Sequence, residues 1–242
     1  MKEVRFFYSP EAAISHELPE EEAQHALRVL RLQPGDEIFL MDGKGTYYRA
    51  HITEADRRHC FYEIDETKPQ PRQWTGHLHL AMGPTKNMDR TEWFAEKATE
   101  IGFDELTLLN CRWSERRSVK TERLDRILIS AMKQSHKAEK PVLNPMTDIA
   151  DFLKKDFCSQ RFICHCHEGD KPLLFDVLSE NLDAVVMIGP EGDFSMEEVR
   201  MAEEAGFKSV SLGRSRLRTE TAALAAVHIM HLKNETSYEN GK

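Results

Sequence analysis

The sequence predicts an α/β protein in two parts, a small β-rich domain over residues 1–70 and a mostly parallel α/β domain over residues 73–235. Three observations carry that expectation. Short aromatic and β-branched runs separated by turn residues crowd the first part, which suggests a small barrel. Lys68-Pro69-Gln70-Pro71-Arg72 has the proline and polarity of a linker. Beyond it, apolar strand-like runs alternate with capped helical patterns, the order of a parallel α/β sheet.

In the first part, Phe6-Phe7-Tyr8, Glu37–Met41, Tyr47–Ile52 and Cys60–Ile64 are the strand candidates, with turns at Gln33-Pro34-Gly35-Asp36 and Asp42-Gly43-Lys44-Gly45. A helix over Glu20–Leu30 interrupts them and brings His25, Arg28 and Arg31 close together. Those side chains are either a solvated helix face or an RNA-contacting edge.

The second part opens with a strand over His77–Met82, a loop over Gly83–Met88 and a helix over Asp89–Ile101. Asp89 with Glu92 reads as that helix's cap, Met88 with Trp93 as its staple, Phe94, Ala98 and Ile101 as its apolar stripe, and Gly102 as its stop. A strand at Leu106–Leu109, a helix from Thr121 to about His136, a proline-flanked connection and a strand around Phe162 follow. Next, Ala184-Val185-Val186-Met187-Ile188 is short and β-branched enough for a buried parallel strand. It ends in Gly189-Pro190-Glu191-Gly192-Asp193, a turn whose glycines let backbone approach a ligand. The following helix has a capping box in Ser195 and Glu198, a staple in Phe194 and Val199, and Gly206 past its end. Ser209–Leu212 is a last strand, Gly213–Thr221 an arginine-rich loop and Ala222–Met230 a small-residue helix, with the tail from Asn234 expected to fray. Two successive strand ends carry odd loops, one of bare backbone and one of charge. Ligands bind at such places in α/β sheets, whereas the bland alternative is a pair of surface turns.

Composition narrows the field. With 33 Lys and Arg against 41 Asp and Glu, the net charge of −8 draws the whole molecule to neither nucleic acid nor an anionic membrane, so a polyanion must meet a local basic patch. No run approaches the ~20 apolar residues of a membrane span, and Met1-Lys2-Glu3-Val4-Arg5 does not open a signal peptide, so a cytoplasmic protein is expected. The strongest candidate patch is Arg112-Trp113-Ser114-Glu115-Arg116-Arg117-Ser118-Val119-Lys120, joined by Arg123 and Arg126. It is either a solvated loop or a phosphate-tracking surface with Trp113 free to stack on a base. The five cysteines, Cys60, Cys111, Cys158, Cys164 and Cys166, are an odd number without a secretory signal, which argues against a disulfide framework. Cys164-His165-Cys166-His167 fits a buried strand with free thiols better than a zinc site, so no metal is expected. Neither a P-loop nor an H-E-x-x-H pattern occurs.

Four segments carry a resemblance. HALRVLRLQPGD (His25 to Asp36), EKATEIG (Glu96 to Gly102), MIGPEGDFSMEE (Met187 to Glu198) and LGRSRLRTETA (Leu212 to Ala222) resemble the 16S ribosomal RNA uracil-N3 methyltransferases, knotted enzymes of the SPOUT class that use S-adenosylmethionine. The resemblance implies a PUA-like N-terminal domain, a C-terminal trefoil knot, a homodimer and the 16S rRNA of the 30S subunit as partner. It places the cofactor on Ile188, Gly189, Glu191, Gly192, Leu212, Gly213, Leu217 and Thr221. Arg218 is implied to steady charge on a uracil carbonyl and Glu220 to take the N3 proton or orient the base, unless the two simply form a salt bridge that pins the loop. RNA contacts are implied at His25, Arg28, Arg31, Lys86, Arg112, Arg116, Arg117 and Lys120. This chain departs from the family pattern at Asp193, where a glycine is usual, and at His136-Lys137, where Gly-Arg is usual. Another SPOUT specificity, such as a ribose 2′-oxygen, and a non-catalytic RNA-binding module are the rivals.

Overall fold

A computed structural model describes residues 6–157 and 159–235; the N-terminal five residues and the tail beyond Glu235, on which two of the expectations above bear, lie outside the described residues. The chain falls into two units, Met1–Arg72 with Ile129–Lys140, and Gln73–Leu128 with Pro141–Lys242.

In the first unit, β1 (Phe6–Tyr8), β2 (Glu37–Met41), β3 (Thr46–Ala55) and β4 (Cys60–Pro69) form one sheet in the order β1-β2-β3-β4. Phe7, Ile38, Leu40, Ala50, Ile52 and Tyr62 fill its core. The strand β4 runs past Ile64 through Pro69, so Lys68 and Pro69 of the expected linker are strand. Proline is tolerated there because β4 is an edge strand, where a missing N–H costs no ladder bond. Helix α1 (Glu20–Gln24) continues as a π-helical turn over His25–Val29, closed by Leu30 N to His25 O, and ends at Arg31 with φ 57°. The Ile129–Lys140 segment belongs to this unit through Lys133 Nζ to Glu22 Oε1 at 2.6 Å and Gly45 N to Ala138 O at 3.0 Å.

The second unit is a six-stranded sheet in the order β10-β8-β9-β5-β6-β7, parallel at every pairing. Its strands are β5 (Leu78–Met82), β6 (Glu105–Asn110), β7 (Val142–Asp148), β8 (Gln160–Cys164), β9 (Ala184–Ile188) and β10 (Lys208–Val210). Every residue of β5 and β9 is buried, as expected of central strands covered on both faces. One face, with Leu80, Met82 and Val186, packs on Phe94 and Ala98 of α2 (Met88–Ile101) and on Ala223, Ala226 and Met230 of α7 (Thr219–Asn234). The other, with Ala81, Val185 and Met187, packs on Phe152 of the one-turn α4 (Ile149–Phe152) and on Val199 and Ala202 of α6 (Met196–Glu204). Helix α3 (Thr121–Ser135) and the one-turn α5 (Leu174–Val177) complete the elements.

Several local expectations change. The proline-flanked connection is the edge strand β7, whose Asn144, Pro145 and Thr147 hide it from any apolar pattern. Helix α2 begins at Met88, so its cap is Asn87, whose side chain accepts from Asp89 N at 3.2 Å. Glu92 instead receives Arg123 at 2.7 Å, and Trp93 is 43% exposed and staples nothing. The capping box of α6 forms in full from Ser195 and Glu198. The last helix, α7, starts at Thr219 rather than Ala222, which moves Thr219, Glu220 and Thr221 out of the loop and into a first helical turn. It also runs to Asn234, which is 1% exposed and accepts from Thr75 N at 2.8 Å, so no fraying begins at that residue.

Candidate functional site

The strands β8, β9 and β10 end side by side, and their last residues, Cys164, Ile188 and Val210, form the floor of a cavity of about 630 Å³. Two loops rim it. From the loop after β9 come Gly189, Glu191, Gly192 and Asp193; from the loop after β10 come Leu212, Gly213, Arg214, Arg216 and Leu217. Seven of the eight residues expected to hold the cofactor therefore meet in one place. Thr221 does not: it is exposed on the first turn of α7, while Thr219 and Ala222, one helical turn apart, face the cavity instead.

Close approach explains the glycine-rich chemistry of the β9 loop. A Cβ on Gly83 would sit 2.7 Å from Pro190 N, and one on Gly192 would sit 2.7 Å from the Cβ of Trp113. The loop is thus wedged between the chain leaving β5 and the chain leaving β6. Glu191 accepts from Lys86 N at 2.9 Å and so faces the β5 exit. Asp193 adopts φ 64°, a conformation aspartate tolerates better than most residues. Its carboxylate accepts from Phe194 N and from Cys166 N, each at 2.8 Å.

Sequence reasoning missed the facing wall, Cys164, His165, Cys166 and Lys171. Only Cys164 of that run is buried in β8, where burial pushes its thiol up to about 12; Cys166 lies beyond the strand end and is exposed. Ser209 Oγ donates to Glu203 Oε1 at 2.7 Å, so it accepts from His165 Nε2 at 3.0 Å, and burial, ahead of nearby Lys171, lowers the His165 pKa. Among the described residues no group of three or more His, Cys, Asp or Glu is arranged to hold a metal ion. The rule that α/β sheets bind at strand ends would have pointed to this run had β8 been ended at Cys164.

The salt bridge between Arg218 and Glu220, the alternative reading of that pair, does not form. Arg218 is the exposed N-cap residue of α7, and Glu220, 8% exposed, has its Oε1 3.8 Å from Arg90 Nε. Its Oε2 is buried without a hydrogen-bond partner.

The basic loop is less free than its composition suggests. Arg117 donates to Asn110 Oδ1, Cys111 O and Arg112 O at 2.9–3.0 Å, and Arg116 donates to Lys86 O at 2.7 Å. Lys86 pairs with Glu115 at 2.7 Å, and Arg112 lies 3.4 Å from Glu197 and over the ring of Trp113. Beneath them, buried Glu198 accepts from Arg112 N at 2.7 Å and ties the loop to the start of α6. In the first unit, His25, Arg28 and Arg31 are all exposed.

The family model for the RNA methyltransferase domain matches residues 72–231, and that for the RNA methyltransferase PUA domain matches residues 18–65. A ribosomal RNA small subunit methyltransferase E from Aquifex aeolicus is 33% identical over 88% of this chain and 92% of its own. The chain belongs to that methyltransferase family. The Rickettsia conorii member is 31% identical over 82% of each chain. Among solved structures, a probable rRNA-methyltransferase from Porphyromonas gingivalis superposes with TM-score 0.89 at 42% identity, covering 96% of this chain and 98% of that one. The family member from Neisseria gonorrhoeae, solved bound to S-adenosyl methionine, gives 0.84 at 30% identity over 95% and 98%. The predicted pairing of a PUA-like N-terminal domain with a parallel α/β methyltransferase domain is thereby the family's own.

Proposed function

We propose that the protein transfers a methyl group from S-adenosylmethionine to N3 of a uridine in 16S rRNA. One observation carries the reading: both motifs that mark the family line a single cavity at the ends of β8, β9 and β10. The residues fit the methyl donor. Its volume lies within the usual range for small-molecule sites. Ile188, Leu212 and Leu217 offer apolar surface to an adenine ring, Gly189, Gly192 and Gly213 offer bare backbone, and Glu191 fixes the rim through its bond from Lys86 N. S-adenosylmethionine, when bound, supplies an electrophilic methyl on a sulfonium.

The chain's own work is to hold and deprotonate the base. Attack by N3 requires loss of the imide proton, which leaves charge on the uracil carbonyls. Arg218, exposed at the start of α7, is assigned to neutralise that charge. Glu220, with an unpartnered Oε2, is assigned to take the proton or orient the base, and Arg90 steadies its other oxygen. For RNA, Lys120 and Arg112 are the contacts of the basic loop, Lys86, Arg116 and Arg117 shape it as well, and His25, Arg28 and Arg31 serve the PUA-like domain, residues 1–70. The catalytic domain is taken as residues 73–235.

A homodimer is part of the reading, with a changed argument. Ala223 and Ala226 are spent in the chain's own core and Ile229 packs against it, so the partly exposed Ala225 is what α7 leaves for a second copy. No helix among the described residues is long and apolar enough to cross a membrane. The deciding experiment incubates the protein with labelled S-adenosylmethionine and undermodified 30S subunits and identifies the product nucleoside. N3-methyluridine is expected; a 2′-O-methyl nucleoside, or no product, overturns the proposal. Light scattering that finds an active monomer removes the dimer alone.

A further inference from the structure

We infer that Asp193 is a positioning residue of the methyl-donor cavity, a latch that sets the separation of its two walls. The inference rests on the assignment of this cavity to S-adenosylmethionine. Asp193 lines the cavity from the β9 loop, and the chain leaving β8 lines it from the other side. One carboxylate joins them: Oδ1 accepts from Phe194 N and Oδ2 accepts from Cys166 N, both at 2.8 Å. Two neighbours align the same segment, since His167 Nε2 donates to Phe194 O at 2.7 Å and His165 is held by Ser209 at 3.0 Å. The other two contacts come from side chains of the β8 exit itself. Asp193 is the only side chain of the β9 loop that reaches across to that segment's backbone among these bonds.

Chemistry and backbone geometry agree on the residue. At φ 64° glycine is the unstrained choice, so an aspartate there accepts some backbone cost. A charged oxygen bound to two amide donors offsets that cost, because hydrogen bonds to an ionised acceptor are the strong ones. The Cys166 amide is one that β10 cannot satisfy, since the β8–β10 pairing stops at Cys164. Without the carboxylate, the β8 exit loses its tether to the loop that carries Gly189 and Glu191, and the cavity loses its fixed width rather than any direct contact to the donor.

The test compares Asp193→Gly, which suits the backbone but removes the carboxylate, with Asp193→Asn, which tolerates the same φ and keeps one acceptor oxygen. Three quantities are read: the calorimetric Kd for S-adenosylmethionine, kcat with KM, and the rate at which N-ethylmaleimide alkylates Cys166 in the protein without cofactor, located by peptide mass spectrometry. Among the described cysteines Cys166 is the exposed reporter, whereas Cys60, Cys111 and Cys164 are buried. The expected result for Asp193→Gly is a Kd and KM raised roughly tenfold with kcat within about twofold, and faster labelling of Cys166. Asp193→Asn is expected to recover part of both changes. General damage to the fold moves melting temperature and kcat together and gives no selective change in Kd, and that pattern overturns the inference. So does a Gly variant with native Kd and native Cys166 reactivity. Should Asp193→Gly not fold, Asp193→Asn decides: a raised Kd supports the latch and a native one ends it. A wild-type protein that binds no S-adenosylmethionine defeats the functional reading instead, and the Cys166 rates still report on the latch.

Discussion

Two loops of the second unit both suggest a ligand site from their residues and differ in what they leave free. The loop after β9 presents two glycines and a proline, and the loop after β6 presents four basic residues between Arg112 and Lys120. Reading residue types alone, both offer themselves to a ligand. In the structure, the β9 loop turns its backbone to a cavity, while Arg117 and Arg116 commit guanidinium donors to carbonyl oxygens of the chain. An arginine's charge persists when its donors are spent, but its reach does not. Charge in a sequence therefore marks possible contacts, and hydrogen-bond accounting decides which remain available.

The largest expected effect separates residues that act from residues that hold. Glu220→Gln should lower turnover by two orders of magnitude or more, on the order of a lost general base, while S-adenosylmethionine affinity stays near native. The defect should shrink as pH rises, because hydroxide increasingly replaces the missing base. A variant with native turnover ends that assignment, and one that no longer binds cofactor makes Glu220 a structural group of α7.

Arg117→Ala is next and strikes the comparison directly. Losing its bonds to Asn110, Cys111 and Arg112 should cost about 2 kcal/mol of stability. Since Trp113 packs on Gly192, cofactor binding should weaken as well. Chemical denaturation and calorimetry check both. A variant of native stability and native Kd that merely binds RNA less well returns Arg117 to the role its charge first suggested.

The far end of the sheet provides a control that involves neither loop. Burial depresses the His79 pKa to about 4, and its Nε2 bonds Thr107 Oγ1 at 2.8 Å. The unfolded chain protonates near 6.5, so between that pH and 4 it binds more protons than the native state and stability falls on acidification. From pH 7 to 5 the loss should be about 1–2 kcal/mol, and His79→Gln should remove it. His77, raised by its bond to Glu105, works in the opposite sense: its contribution is full at acid pH and fades as pH rises through its own pKa. Methylation kinetics at fixed temperature should be indifferent to both. Urea titrations across that range that show no change in slope for His79→Gln defeat the assignment.

The smallest effects belong to side chains that remain accessible. Arg112→Ala and Lys120→Ala should each weaken rRNA binding a few fold and lower its salt slope by about one, leaving cofactor affinity untouched. Equal loss of cofactor affinity would show that the comparison between the loops has been drawn in the wrong place.

Much of this was legible in the residues because local and tertiary demands coincide. Ala184–Ile188 is apolar throughout since it is central and covered on both faces, and Ser195 with Glu198 states a helix start unambiguously. Ile188 and the two rim loops followed from strand ends, whereas the end of β8 at Cys164 did not. What escaped detection depends on partners distant in sequence. The edge position of β7 permits proline and polar residues, so no pattern betrays it. The start of α7 at Thr219 follows a run of arginines without a side-chain cap, and Arg90 is invisible as Glu220's neighbour. Asp193 and His136, where the resemblance leads one to expect glycine, stand at φ 64° and 52°, the region that glycine favours.

The assignment of Ile129–Lys140 to the first unit has a consequence for synthesis. A ribosome that has delivered residue 72 has released every strand of that unit but not the second half of α3, which carries the Lys133 partner of Glu22 and the Ala138 carbonyl that Gly45 needs. The nascent unit must wait, incomplete, while β5, α2 and β6 emerge. The parallel sheet waits longer still, because the central β9 is translated after its neighbours β5 and β8, and Thr75 finds its acceptor only when Asn234 appears. The first unit can close only once residue 140 has been made, and the parallel sheet only once α7 has followed it.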